Sequence, residues 1–156
     1  MVTMSRRRLL STAGALAAAG SVAPRLLALQ GCNVVPDSLG SDGDGRVQVD
    51  LTDHPELAAV DGFSLLSITD TGQLLAIVRV TEGGDRPFVV LDGICPHAGC
   101  RVDTYDRGEQ RLVCRCHDSE FELDGTVWGG PALMPLDEYD YTLDGDLLDI
   151  GLTPID

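Results

Sequence analysis

The sequence predicts an all-β architecture, an antiparallel sandwich or barrel, from three features. Short apolar runs recur at close spacing, several alternating as half-buried strands do. Gly- and Asp-bearing turns separate them. Glycine numbers 18 while aromatics make up only 4%, so turns are frequent and the core is aliphatic. A length of 156 residues and a hydrophobic fraction of 44% fit one domain with a short extension.

Residues 1–31 read as an export signal. Ser5-Arg6-Arg7-Arg8-Leu9-Leu10 is a twin-arginine pattern, followed by an Ala- and Gly-rich apolar run from Leu9 to Ala23. That run is shorter than the roughly 20 residues a membrane helix needs. Leu29-Gln30-Gly31-Cys32 resembles a lipobox with an atypical Gln, which makes Cys32 the lipidation candidate. An uncleaved anchor helix and simple cleavage are the competing readings. The location expected is therefore exported and membrane-associated, on the periplasmic or outer face. Residues 32–45, rich in Gly, Ser and Asp, read as a flexible linker. The domain is expected over 46–156. The Asp42-Gly43-Asp44-Gly45 fragment lacks the rest of a calcium loop.

Val47, Val49 and Leu51 alternate as the first strand. Asp53-His54-Pro55-Glu56 has the spacing of a capped helix start, with His54 expected at the surface or the cap. Further strands are expected over 63–69, 74–80 and 87–91. Runs 101–105 and 111–114 would pair around Asp106-Arg107-Gly108. Phe121 to Val127 reads as a tight hairpin around Asp124-Gly125, and 139–143 with 147–150 as a last hairpin around Asp144-Gly145-Asp146. Trp128 and Met134 are expected in the core.

The formal charge is −14, and all eleven basic residues are arginines. Four of them lie before residue 31, and no acid precedes Asp37, so the body is more acidic still. Such a surface repels phosphate backbones, which argues against a nucleic-acid partner and suits a basic protein partner.

Four of the five cysteines and two of the three histidines fall between Cys95 and Phe121. The first box is Cys95-Pro96-His97-Ala98-Gly99-Cys100. The second is Cys114-Arg115-Cys116-His117-Asp118-Ser119. Thiols and imidazoles at this density are soft metal ligands rather than core filling. A zinc-stabilised binding module needs only four ligands and leaves a cysteine spare in each box. Two structural disulfides would leave the histidines without a role. A cysteine protease would leave surplus cysteines.

The pattern Cys-x-His-x-Gly-Cys followed by Cys-x-Cys-His-x-Ser resembles the Rieske family, in its disulfide-containing, cytochrome bc-type branch. The resemblance spans roughly residues 46–152. It implies an antiparallel β domain with a small cluster-binding subdomain of two loops, at about 93–135. It also implies one [2Fe–2S] cluster, with Cys95 and Cys114 on one iron, His97 and His117 on the other, and a Cys100–Cys116 disulfide. Gly99, Asp118, Ser119, Phe121 and the loop Gly130-Pro131-Ala132 fall at positions that surround the cluster in that family.

Those surroundings imply a tuning. Rieske potentials span roughly −150 to +300 mV, and hydrogen bonds to sulfur raise them. Ser119 is placed to donate such a bond. Phe121 stands where high-potential relatives have tyrosine. Asp118 stands where many have glycine and adds a carboxylate beside His117. Ala98 stands where many quinol-oxidising relatives have leucine. The function implied is one-electron transfer in a membrane-tethered, exported redox protein. It would be the iron–sulfur subunit of a quinol–cytochrome c reductase-type complex, or else the small Rieske subunit of another periplasmic oxidoreductase of the arsenite oxidase type. Its partners would be a cytochrome or larger oxidoreductase subunit, and quinol. A Rieske oxygenase would need a second, mononuclear iron site for which only His54 remains.

Overall fold

The computed structural model describes residues 38–155; the export signal, Cys32 and residues 32–37 of the expected linker lie outside the described residues. Eleven strands are present among the described residues: β1 (Ser38–Leu39), β2 (Arg46–Asp50), β3 (Phe63–Ile68), β4 (Leu74–Arg79), β5 (Phe88–Asp92), β6 (Thr104–Asp106), β7 (Arg111–Cys114), β8 (Ser119–Phe121), β9 (Val127–Gly129), β10 (Glu138–Asp144) and β11 (Leu147–Ile155). Seven form one sheet in the order β1-β3-β4-β5-β10-β11-β2, and β6 to β9 form a second. Neighbours are antiparallel except β1 and β3, which run parallel. The edge strands β1 and β2 lie near each other, joined by a turn in which the Asp42 amide donates to the Arg46 carbonyl at 2.7 Å. The larger sheet thus nearly closes into a barrel, which protects its open edges.

Three local expectations are corrected. Within residues 38–45, expected as flexible linker, Ser38 and Leu39 form β1 and residues 40–45 make the turn into β2. Ser38 and Leu39 pair with Ser67 and Ile68, the Ser41 amide and hydroxyl bond the Asp70 carboxylate, and Asp42 accepts from the Asp44 and Arg46 amides. The expected helix is a single 3₁₀ turn, Pro55–Leu57, with no side-chain cap. Asp50, not Asp53, organises its approach by accepting from the Thr52 amide and hydroxyl. His54 takes the cap position, one of the two places expected, but it is buried at 3% exposure, its Nδ1 3.3 Å from Glu56 Oε1. The Glu56 carboxylate that a capping box would use instead accepts from the Ser64 hydroxyl on β3 at 2.7 Å.

β4 explains how the small sheet is mounted. Its side chains alternate, and both faces are buried. Leu75 and Ile77 face the interior of the larger sheet, with Val47, Val49, Leu66, Ile68, Val90, Leu148 and Ile150. Ala76 and Val78 face the other way, with Leu91, and pack against Val102, Leu112 and Phe121 of the small subdomain. The central strand therefore serves two cores. A polar strut adds to this contact. The Tyr105 hydroxyl of β6 donates to Asp61 Oδ1 at 3.0 Å, and Arg107 Nε donates to the Asp61 carbonyl at 2.9 Å. Burial, with Asp61 as hydrogen-bond partner, pushes the Tyr105 phenol up to about 12, so it stays a donor.

Candidate metal centre

Two loops form the tip of the small subdomain. The first leaves β5 and is closed at its base by an antiparallel bridge between Ile94 and Arg101. Within it the Cys95 amide donates to the Cys100 carbonyl at 2.7 Å, and the Gly99 amide to the Cys95 carbonyl at 2.9 Å. That curl needs φ of +71° at Gly99, which a residue without Cβ adopts at little cost. The second loop spans 115–118 between β7 and β8, where Cys114 and Ser119 are paired.

The loops sort their donors by depth. Cys95 and Cys114 are each 1% exposed and carry free thiols. His97 and His117 lie exposed, with ring centroids 4.7 Å apart and planes at 87°. Cys100 and Cys116 form a disulfide across the two loops, with Cα atoms 6.4 Å apart. The sulfurs of Cys100, Cys114 and Cys116 lie within 4.8 Å of one another. Burial pushes the Cys114 thiol up; the Cys116 amide, donating to its sulfur, opposes this, and the hydrogen-bonded Cys95 thiol adds to it.

A third segment closes the back of the second loop. Gly130 has φ of +90°, and a Cβ there would lie 2.4 Å from the Asp118 carbonyl oxygen and 2.5 Å from Ser119 Cα. Only glycine lets the two chains approach this closely. The contact positions the Ala132 amide, which donates to Ser119 Oγ at 3.2 Å. Ser119 is fully buried, and its hydroxyl proton remains available to a further acceptor. Phe121, also fully buried, packs in the core that contains Cys95 and Cys114. Asp118 is exposed and takes φ of +57°, a region favoured by glycine and tolerated by aspartate. Pro131 is exposed at the rim.

Trp128 and Met134, expected in the core, are 55% and 64% exposed, a correction with a visible cause. On β9, Trp128 stacks its ring under the Arg111 guanidinium at 3.6 Å rather than entering the core. Met134 and the neighbouring Leu133 lie in the segment after Ala132, which itself takes the buried place. Sequence reading also missed Arg111, which is flanked by Glu109, Glu120 and Glu122 at 3.4–3.7 Å. The cross-strand pairing that brings these charges together has no local signature.

Two buried soft thiols beside two exposed imidazoles, held on two tied loops, supply four donors of the kinds a mixed Cys/His [2Fe–2S] centre needs, so the residues fit the group. The sequence model of the Rieske [2Fe–2S] domain matches residues 47–140. The chain is 31% identical over 151 residues to the cytochrome b6-f complex iron–sulfur subunit of Gloeobacter violaceus, covering 86% of this chain and 76% of that protein. It is 28% identical to the same subunit of a Synechococcus strain, covering 72% and 67%. Among solved structures, the ferredoxin of carbazole 1,9a-dioxygenase from Nocardioides aromaticivorans shares the fold, with a TM-score of 0.53 at 17% identity over 67% of this chain and 94% of that one. With the box residues, the fold and the family match in agreement, the chain belongs to the Rieske [2Fe–2S] family and carries one [2Fe–2S] cluster.

Proposed function

We propose that this protein is a one-electron carrier in which Cys95 and Cys114 hold one iron of the cluster and His97 and His117 the other. The observation that carries the assignment is the sorting by depth: both thiols are 1% exposed, and both imidazoles face solvent at the same tip. When bound, the cluster supplies a one-electron couple whose potential is raised by its imidazole ligands. Burial of the thiols excludes water from the sulfur side. The disulfide fixes the two loops in register. Ser119 accepts from the Ala132 amide and keeps its hydroxyl proton to donate; given to a cluster sulfur, that bond favours the reduced state. Asp118 and the absence of a hydroxyl on Phe121 act in the opposite direction.

The likeness to cytochrome b6-f iron–sulfur subunits supports a place in a quinol-oxidising complex, with the exposed imidazoles as the face that meets quinol and then a cytochrome. Two residues favour a second reading, the small subunit of another exported oxidoreductase. Ala98 leaves little apolar surface at the tip, and Phe121 implies a lower potential. Gentle solubilisation and affinity capture of the full chain separates the two. Recovery of a b-type cytochrome supports the first, and recovery of a large non-haem oxidoreductase subunit replaces it with the second. The twin-arginine pattern and Cys32 support export with a lipid anchor. Mass spectrometry of the mature protein tests this: an N-terminus at Cys32 carrying acyl chains is expected, and an intact residue 1–31 segment would overturn it.

A further inference from the structure

Three sulfurs converge at the tip with a fourth, Cys95, hydrogen-bonded to one of them, and the cluster assignment uses two of the four. The sulfurs of Cys100, Cys114 and Cys116 lie within 4.8 Å of one another, and the Cys95 thiol is hydrogen-bonded to Cys114. Thiolates around a tetrahedral zinc ion sit about 3.8 Å apart, given Zn–S bonds of about 2.3 Å. Opening the S–S bond frees the Cys100 and Cys116 side chains to turn toward that spacing. The loops hold these sulfurs together: the disulfide ties the two loops, and the first loop is curled by its own amides. Arg101 follows Cys100, and Arg115 lies between Cys114 and Cys116, both exposed. A site of zinc and four thiolates would carry a net charge of about −2, and these are the two cations adjacent to it in sequence.

We propose that reduction of the Cys100–Cys116 disulfide converts the tip into an all-cysteine zinc site, formed by Cys95, Cys100, Cys114 and Cys116, that competes with the [2Fe–2S] cluster. Closed, the disulfide leaves two thiols and two imidazoles. Open, it offers four thiolates, the ligand set that suits zinc. With a phosphine as reductant, the S–S bond breaks to two thiols as phosphine and water become phosphine oxide. Zinc then displaces the four thiol protons. The proposal rests on the same tip as the ligand assignment above, but it does not require His97 or His117, so the two can fail separately.

The test uses the full-length H97A/H117A chain, whose replaced rings are exposed in the structure. Strand content is checked by circular dichroism. Cobalt(II) is titrated with and without a non-coordinating phosphine, then displaced with zinc. One cobalt per chain is expected after reduction, with the charge-transfer intensity of four thiolates and a rise in Tm on zinc addition. Affinity should fall about a hundredfold or more when the disulfide is left closed or when C100S/C116S is added. Uptake that ignores reduction, uptake that survives C100S/C116S, or no uptake by the reduced folded chain would overturn the proposal. If the histidine variant loses its strand signal, the same titration on the parent chain stripped of iron decides, since two-thiolate intensity there contradicts the all-cysteine site.

Discussion

At the scale of single residues, the chemistry is set by what each box residue can hide or present. Phe121 is fully buried in the core that holds both free thiols, so a hydroxyl added there enters the same water-free interior as the sulfurs. Phe121→Tyr is expected to raise the midpoint potential. One hydrogen bond worth about 1 kcal/mol corresponds to on the order of 50 mV for a one-electron couple. Protein-film voltammetry checks this, and an unchanged potential with the hydroxyl seated by the thiols would remove Phe121 from the tuning argument. Gly130 gives a second prediction. A methyl group there meets the Asp118 carbonyl and the Ser119 backbone below 3 Å, at a φ that L-residues resist. Gly130→Ala should destabilise the protein by on the order of 3 kcal/mol in denaturant melts and lower its iron content. The two boxes were legible as the signature of a cluster-binding family because thiols and imidazoles rarely cluster without a metal. The tightness at Gly130 was not, because it depends on a chain segment packed across from it.

At the scale of elements, strand positions were legible wherever alternation met a glycine-bearing turn, as in the hairpins of β3 with β4 and β10 with β11. β1 escaped because two residues carry no period; it is a strand only because Ser67 and Ile68 lie beside it. The 3₁₀ turn escaped because the acid that would complete a helix cap is taken by Ser64 from another strand. The small sheet is held by a device of the same long-range kind. Arg111 on β7 reaches Glu120 on β8 and the Trp128 ring on β9. Arg111→Ala removes the cation shared by three carboxylates as well as the ring contact. A loss of about 1–2 kcal/mol in stability is expected, larger at low salt. Equal stability of variant and parent at low salt would show that the cluster of charges is not held by Arg111.

At the scale of the whole molecule, acidity governs the pH response. Asp50 is held below the usual carboxylate range by Thr52, Asp70 by Ser41, Asp124 by Thr126 and Asp140 by Arg86, and Glu56, against the opposing pull of burial, is held below it by Ser64. A carboxyl depressed in the folded state adds stability above its unfolded value, near pH 4, and loses it as pH falls through the folded value. Asp92 runs the other way, since burial raises it and its contribution is lost as pH rises. Five depressed carboxyls against one raised carboxyl predict a urea midpoint that falls as pH drops below about 4. A midpoint higher at about pH 3 than at about pH 6 would contradict the assignment.

The central claim is that two imidazoles and two thiolates hold the cluster at one tip. The most direct measurement is the EPR spectrum of the reduced protein with nitrogen hyperfine couplings resolved by pulsed methods, for the parent chain and for H97A and H117A. The account predicts a low-field-shifted Rieske signal with couplings to two imidazole nitrogens in the parent, and loss of that signal in each variant. A reduced parent spectrum with no imidazole nitrogen coupling, or one that survives either substitution unchanged, would contradict it.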